Sequence, residues 1–86
     1  MITVPKIKTY IKYDGDIDRW VRSGSRKERE IIDDRDWYLI EGLLQDLKLI
    51  KRGLAGDEFL KNVQSKLMEN CDSPETAEQL RNLALD

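Results

Sequence analysis

Histidine is absent from the 86 residues of this chain, and that absence excludes more chemistry than any other feature. Imidazole is the commonest general base and the commonest transition-metal ligand. Without it, Ser–His and Cys–His nucleophile pairs cannot be assembled, nor can the usual zinc sites. Cysteine is nearly absent as well. Cys71 stands alone, so no intramolecular disulfide can form and a reducing cytoplasm is the expected compartment. At the end of a helix it reads as a small core hydrophobe, because a thiol with no histidine nearby is a poor nucleophile. No apolar run approaches the roughly 20 residues that a membrane span requires. Met1 to Tyr10 carries lysines and no apolar stretch of a leader, so no signal peptide is expected. Carboxylate chemistry and hard-cation binding remain open, and catalysis is not expected. No catalytic residue, metal ion or cofactor is expected.

What the chain does contain is 40% hydrophobic and 37% charged residues, ordinary for a folded domain and unlike a disordered segment. Residues 1–86 are expected to form one domain, of a size that buries only about 60–65% of its unfolded surface and is marginally stable. Charge is divided along the chain. The stretch up to Arg29 carries a net charge of +4, and the stretch from Glu30 onward a net charge of −6. Such polarity points to partners more than the overall charge of −2 does.

Residues 6–22 alternate in the manner of a β-hairpin. Ile7, Thr9 and Ile11 fall on one face and Lys6, Lys8, Tyr10 and Lys12 on the other, followed by an Asp14-Gly15 turn signal. A three-residue loop, Tyr13-Asp14-Gly15, pairs Ile11 with Ile17 and Ile7 with Val21, and puts Gly15 where a type I turn plus G1 bulge needs a left-handed residue. The inner face is then Ile7, Thr9, Ile11, Ile17, Arg19 and Val21, and the outer face includes Trp20 and Arg22. Ser25 and Glu28 have capping-box spacing, which predicts a short helical turn; Ile31-Ile32 fits a third edge strand equally well.

Helices are predicted at 34–52, 58–70 and 74–85. In the first, Trp37, Ile40, Leu43, Leu44, Leu47 and Ile50 share one arc. Asp33, Asp34 and Asp36 lie at its start and Lys48, Lys51 and Arg52 at its end, with Gly53 as the C′ residue. Asp57 is placed as the cap of the second, whose stripe is Phe59, Leu60, Val63 and Leu67. Ser73-Pro74-Glu75 opens the third, with Ala77, Leu80, Leu83 and Ala84 inward. The expected fold is α+β: an antiparallel β-hairpin packed on a three-helix C-terminal part, ββααα.

Two surfaces emerge as candidates for partner binding. On the outer hairpin face, Lys6, Lys8, Lys12 and Arg22 surround Tyr10 and Trp20, a mixture suited to phosphates and stacked bases; Asp16 and Asp18 share that face, and exposed lysines also serve to keep sheet edges apart. A second stripe on the long helix, Tyr38, Gly42, Gln45 and Leu49, is spaced four, three and four. It is either covered by the hairpin or is itself a partner or dimer surface. Other patterns have local explanations. Asp14, Asp16 and Asp18 begin like a calcium loop, but Arg19 stands where its glycine belongs and Ser25 where its bidentate Glu belongs. The carboxylates Glu28, Glu30, Asp33, Asp34 and Asp36 suit a helix start without any ligand. A helix-turn-helix over Leu47 to Asn70 would turn Asp57 and Glu58 toward phosphate.

The expected function is a small non-enzymatic cytoplasmic module for protein interaction or regulation, with an unidentified protein partner and no membrane. Single-stranded nucleic-acid binding by the hairpin face is the second reading, and a carboxylate-dependent metal enzyme the third. Composition does not set the oligomeric state.

Overall fold

The structure, a computed structural model, describes residues 1–85. Its six helices are α1 (Val4–Lys12), α2 (Ile17–Ser23), α3 (Arg26–Ile31), α4 (Asp34–Lys51), α5 (Asp57–Asn70) and α6 (Pro74–Leu85). The described residues contain no strand. The only extended pairing among them is an isolated parallel bridge between Ile2 and Cys71, in which Ile2 N–H donates to Asn70 O and Asp72 N–H to Ile2 O. The fold is therefore a small helical bundle, not the α+β domain expected. The hairpin at 6–22 and the edge strand at Ile31-Ile32 do not exist.

The reason lies in residues that serve two periods at once. Ile7, Thr9 and Ile11 alternate, but Ile7, Tyr10 and Tyr13 also recur at helical spacing, and in α1 the helical set wins. Ile7 and Tyr13 are buried and Tyr10 is half-buried, whereas Ile11 is 46% exposed. Pro5 sits in the first turn, where its missing N–H costs nothing. Thr9, the inward exception, returns its hydroxyl to Pro5 O at 3.0 Å. The Asp14-Gly15 turn signal is genuine, but it ends a helix. Both residues have positive φ (53° and 71°). Asp14 N–H donates to Ile11 O and Gly15 N–H to Tyr10 O, the paired bonds of a Schellman end. Asp16 then caps α2, its carboxylate accepting from the N–H groups of Asp18 and Arg19. Ser25 and Glu28 form the full reciprocal capping box that opens α3.

Helix α4 is the spine and packs against α6, α5 and α1. Asp33 caps it by accepting from Asp36 N–H at 2.8 Å. It closes on a second Schellman end, with Gly53 at φ +72°, Gly53 N–H bonded to Ile50 O and Leu54 N–H to Leu49 O. Trp37, Ile40, Leu43 and Leu44 are buried, with Leu39, Leu47 and Ile50 at the margin. Gly56, not Asp57, is the N-cap of α5, which turns Val63 and Leu67 inward and leaves Leu60 37% exposed. Ser73 Oγ accepts from Thr76 N–H to open α6, whose Ala77, Leu80 and Ala84 are buried. The buried Thr76 hydroxyl is satisfied by Asp72.

Candidate functional site

Six of the nine residues singled out in the sequence belonged to the hairpin face, and the helical fold disperses them. Lys6 reaches across to the start of α4, with Nζ 2.6 Å from Asp36 and donating also to Met1 O. Lys12 pairs with Glu28 at 3.1 Å and lies over the Tyr13 ring, so the pairing with Asp16 implied by a hairpin register is replaced. Tyr10 and Trp20 both turn inward against Trp37, each with ring centroids 5.0 Å away. Trp20 is only 4% exposed, and its Nε1 has no hydrogen-bond partner among the described residues. That orphan costs roughly 1–3 kcal/mol, less than the roughly 4–6 kcal/mol gained by burying an indole-sized apolar surface. Trp37 Nε1 donates to Gly15 O at 3.4 Å. Of the former face, Lys8 and Arg22 alone remain exposed without a carboxylate partner among the described residues; Arg22 Nε donates to the Asp18 carbonyl.

Among the described residues, two side-chain ion pairs cross the charge division along the chain, Lys6 with Asp36 and Arg26 with Glu30, whereas Lys12–Glu28 and Arg19–Asp14 lie within the basic stretch. A cation of the basic stretch, Lys6, docks on the acidic start of α4, and Glu28 gathers bonds from Ser25 N–H, Tyr13 Oη and Lys12 Nζ. Those donors, the Ser25 bonds first and Lys12 next, hold the Glu28 carboxyl down at about 2. The backbone N–H of Asp36 likewise lowers Asp33. Arg19 pairs with Asp14 at 3.0 Å. Among the described residues, three or more potential ligands nowhere gather around a common point. Cys71 is buried and its thiol is pushed up by burial, with Asp72 adding to the effect.

The other three candidates behave differently. Tyr38, Gly42 and Leu49, together with Gln45, lie along the solvent side of α4. At 100° per residue they deviate from one line by only tens of degrees and span about 16 Å. Tyr38 is 58% exposed and Leu49 39%. A shallow groove of about 250 Å³ between α4 and α5 contains Tyr38 and Gly42, with Lys66 and Asn70 on its far wall. A second, of about 280 Å³, lies beside Gln45 and Leu49 and is bordered by Lys48 and Arg52. The hairpin that was to cover this stripe is not there, and no other element takes its place. A Cβ added at Gly42 would meet nothing within 4 Å. Packing inside the chain therefore does not demand glycine at this position.

Sequence reasoning missed a third surface. Met68, 79% exposed, borders a groove of about 380 Å³ with Cys71, Pro74, Ala77 and Arg81 at the α5–α6 junction. Helical spacing alone could have flagged Met68, which lies one position beyond the inward Leu67. The groove itself depends on the turn at residues 71–73. Comparison of the chain with family models, with curated proteins and with solved structures finds no match.

Proposed function

We propose that the protein is a non-enzymatic interaction module whose contact surface is the α4 stripe of Tyr38, Gly42, Gln45 and Leu49. The observation that carries this reading is Gly42. It sits in the middle of an 18-residue helix, where glycine costs about 0.5–1 kcal/mol relative to alanine, and no neighbouring atom in the fold explains it. A helix surface kept bare at that point admits the close approach of another element. Tyr38 and Leu49 flank it with apolar area, and tyrosine is among the side chains favoured at the centre of interfaces. No helix of the described residues is long and apolar enough to cross a membrane; a cytoplasmic location is part of this reading, and the single cysteine, Cys71, is what supports it. The nucleic-acid reading has no comparable support, because the Trp20 ring on which a base would stack is sealed against Trp37.

The test is partner capture by the tagged 86-residue chain. Tyr38→Asp combined with Leu49→Asp should abolish capture while the helical circular dichroism is retained, and Lys8→Glu on α1 should leave capture intact. Capture that survives the α4 pair would overturn the reading.

A further inference from the structure

We infer that the element received by the α4 stripe is α4 of a second copy of this chain, packed antiparallel across a two-fold axis; this rests on the stripe being a contact surface. The first support is the spacing. A two-fold interface must be self-complementary, each residue meeting the one that its own counterpart meets. Residues 38, 42, 45 and 49 read the same from either end, four, three and four. Antiparallel pairing about the midpoint between residues 43 and 44 therefore sets Tyr38 opposite Leu49 of the other copy and Gly42 opposite Gln45. Bulk meets bulk at the two ends, and the side-chain-free position faces the polar one at the centre. Four-three-four is also the a/d spacing of two helices in knobs-into-holes contact.

The second support is charge. Helix α4 begins with the exposed Asp33 and Asp34 and ends with the exposed Lys48, Lys51 and Arg52, whereas Asp36 is buried against Lys6 and takes no part. A parallel pair would set like against like. An antiparallel pair sets the acidic end of each α4 against the basic end of the other and opposes the two helix dipoles favourably. Glu41 and Lys48 lie seven residues apart on one flank of the stripe, so each Glu41 faces Lys48 of the other copy, twice by symmetry. The outermost layer would bring Arg35 opposite Arg52. Asp34 lies beside that pair, and the contact is accordingly confined to the four central positions and their Glu41–Lys48 flanks.

Sedimentation equilibrium of the full chain over a wide concentration range at low salt tests this directly. The wild type should show a concentration-dependent monomer–dimer equilibrium. Glu41→Lys alone and Lys48→Glu alone each replace two attractive pairs by two repulsive ones and should weaken association about tenfold or more. Glu41→Lys with Lys48→Glu restores opposite charges and should recover most of the wild-type constant. Gly42→Leu fills the central gap and should give a monomer; the added Cβ meets nothing in the fold, and the helical spectrum, expected unchanged, checks that the rest of the side chain leaves the fold intact. A wild type that stays monomeric, a dimer insensitive to Gly42→Leu, or a double reversal that fails to recover association would each overturn the inference. A monomeric wild type whose capture of another protein is lost in the Tyr38→Asp, Leu49→Asp pair would remove the second copy and leave the contact surface standing. Loss of neither association nor capture in that pair would remove both.

Discussion

The N-terminal helices α1–α3 and the C-terminal helices α4–α6 have the same secondary structure but hold it by different means. The first three have 9, 7 and 6 residues, below the roughly 12–15 at which even a favourable isolated helix becomes marginal. Local bonds close their ends: the side chain of Asp16 on α2, the Ser25–Glu28 box on α3, and the backbone N–H groups of the left-handed Asp14-Gly15 pair that stops α1. The last three have 18, 14 and 12 residues and carry apolar stripes that bury against one another. A helix of the first kind is defined by its termini and its docking. A helix of the second kind is defined by its face.

The joint between the two regions is Trp37, fully buried on α4 and in contact with Tyr10 of α1 and Trp20 of α2. Trp37→Ala should have the largest effect, a loss of about 3–5 kcal/mol, comparable to the whole stability of a domain this small. Urea denaturation followed by far-ultraviolet circular dichroism measures it. A loss under about 1 kcal/mol would mean that the two regions are joined elsewhere.

The two Schellman ends give a matched pair, one in each region. Gly15, second in its end, and Gly53, first in its own, have nearly the same φ, +71° and +72°, but a Cβ at Gly15 would lie 2.7 Å from Tyr10 Oη, whereas one at Gly53 would meet nothing within 4 Å. Gly53→Ala should therefore cost only the left-handed strain, about 1–2 kcal/mol. Gly15→Ala adds a clash that displaces Tyr10 from Trp37, and should cost more, about 2–4 kcal/mol in all. Thermal melts of the two variants side by side decide it; equal shifts would show that Tyr10 swings away freely.

A pH titration separates the regions differently. The Glu28 carboxyl, held at about 2 in the fold, has a depressed pKa, so its contribution is fully present above the ordinary carboxylate value near 4.5 and is lost as pH falls from there toward 2. Its bonds fasten α3 to the end of α1. Acid should thus loosen the N-terminal helices, with faster hydrogen exchange at α1 and α3 than at α5. Glu28→Gln should weaken the fold at neutral pH and flatten the slope across that window. An unchanged slope would show that the bonds to Glu28 do not set the pH dependence in that window.

The same comparison explains what was legible in the sequence. The stripes at 37–50, 59–67 and 77–84 are long enough for period 3.6 to exclude period 2, and helices occupy those stretches to within a residue or so of the expected ends. Residues 6–22 are too short to exclude either period. Ile7-Lys8-Thr9-Tyr10-Ile11 satisfies alternation while Ile7, Tyr10 and Tyr13 satisfy the helix, and the choice is made by Trp37, thirty residues from Ile7. Asp14-Gly15-Asp16 added to the ambiguity, because left-handed backbone followed by a capping carboxylate can close a hairpin or link two helices. Trp20 then changes from an exposed stacking surface to a core residue. The α4 stripe fared better because it lay on a helix whose period was unambiguous; whether anything covered it depended on the part of the chain that local pattern left undecided.

Gly42→Ala should have the smallest effect, and its sign is what matters. Where a fold needs glycine, replacing it destabilises, as at Gly15 and Gly53. At Gly42 the backbone is ordinary helix and the added methyl meets nothing, so the only terms left are backbone entropy in the unfolded chain and helix propensity. Both favour alanine, by about 0.5–1 kcal/mol together. Measured at low protein concentration, the variant should melt above the wild type. A stabilising substitution on an exposed face means that the native residue is not optimised for the isolated fold, and in combination with association weakened by Gly42→Leu it assigns the cost of this glycine to contact with another helix. If Gly42→Ala instead melts below the wild type, glycine has a role inside the fold and its value as a marker of the contact surface is gone.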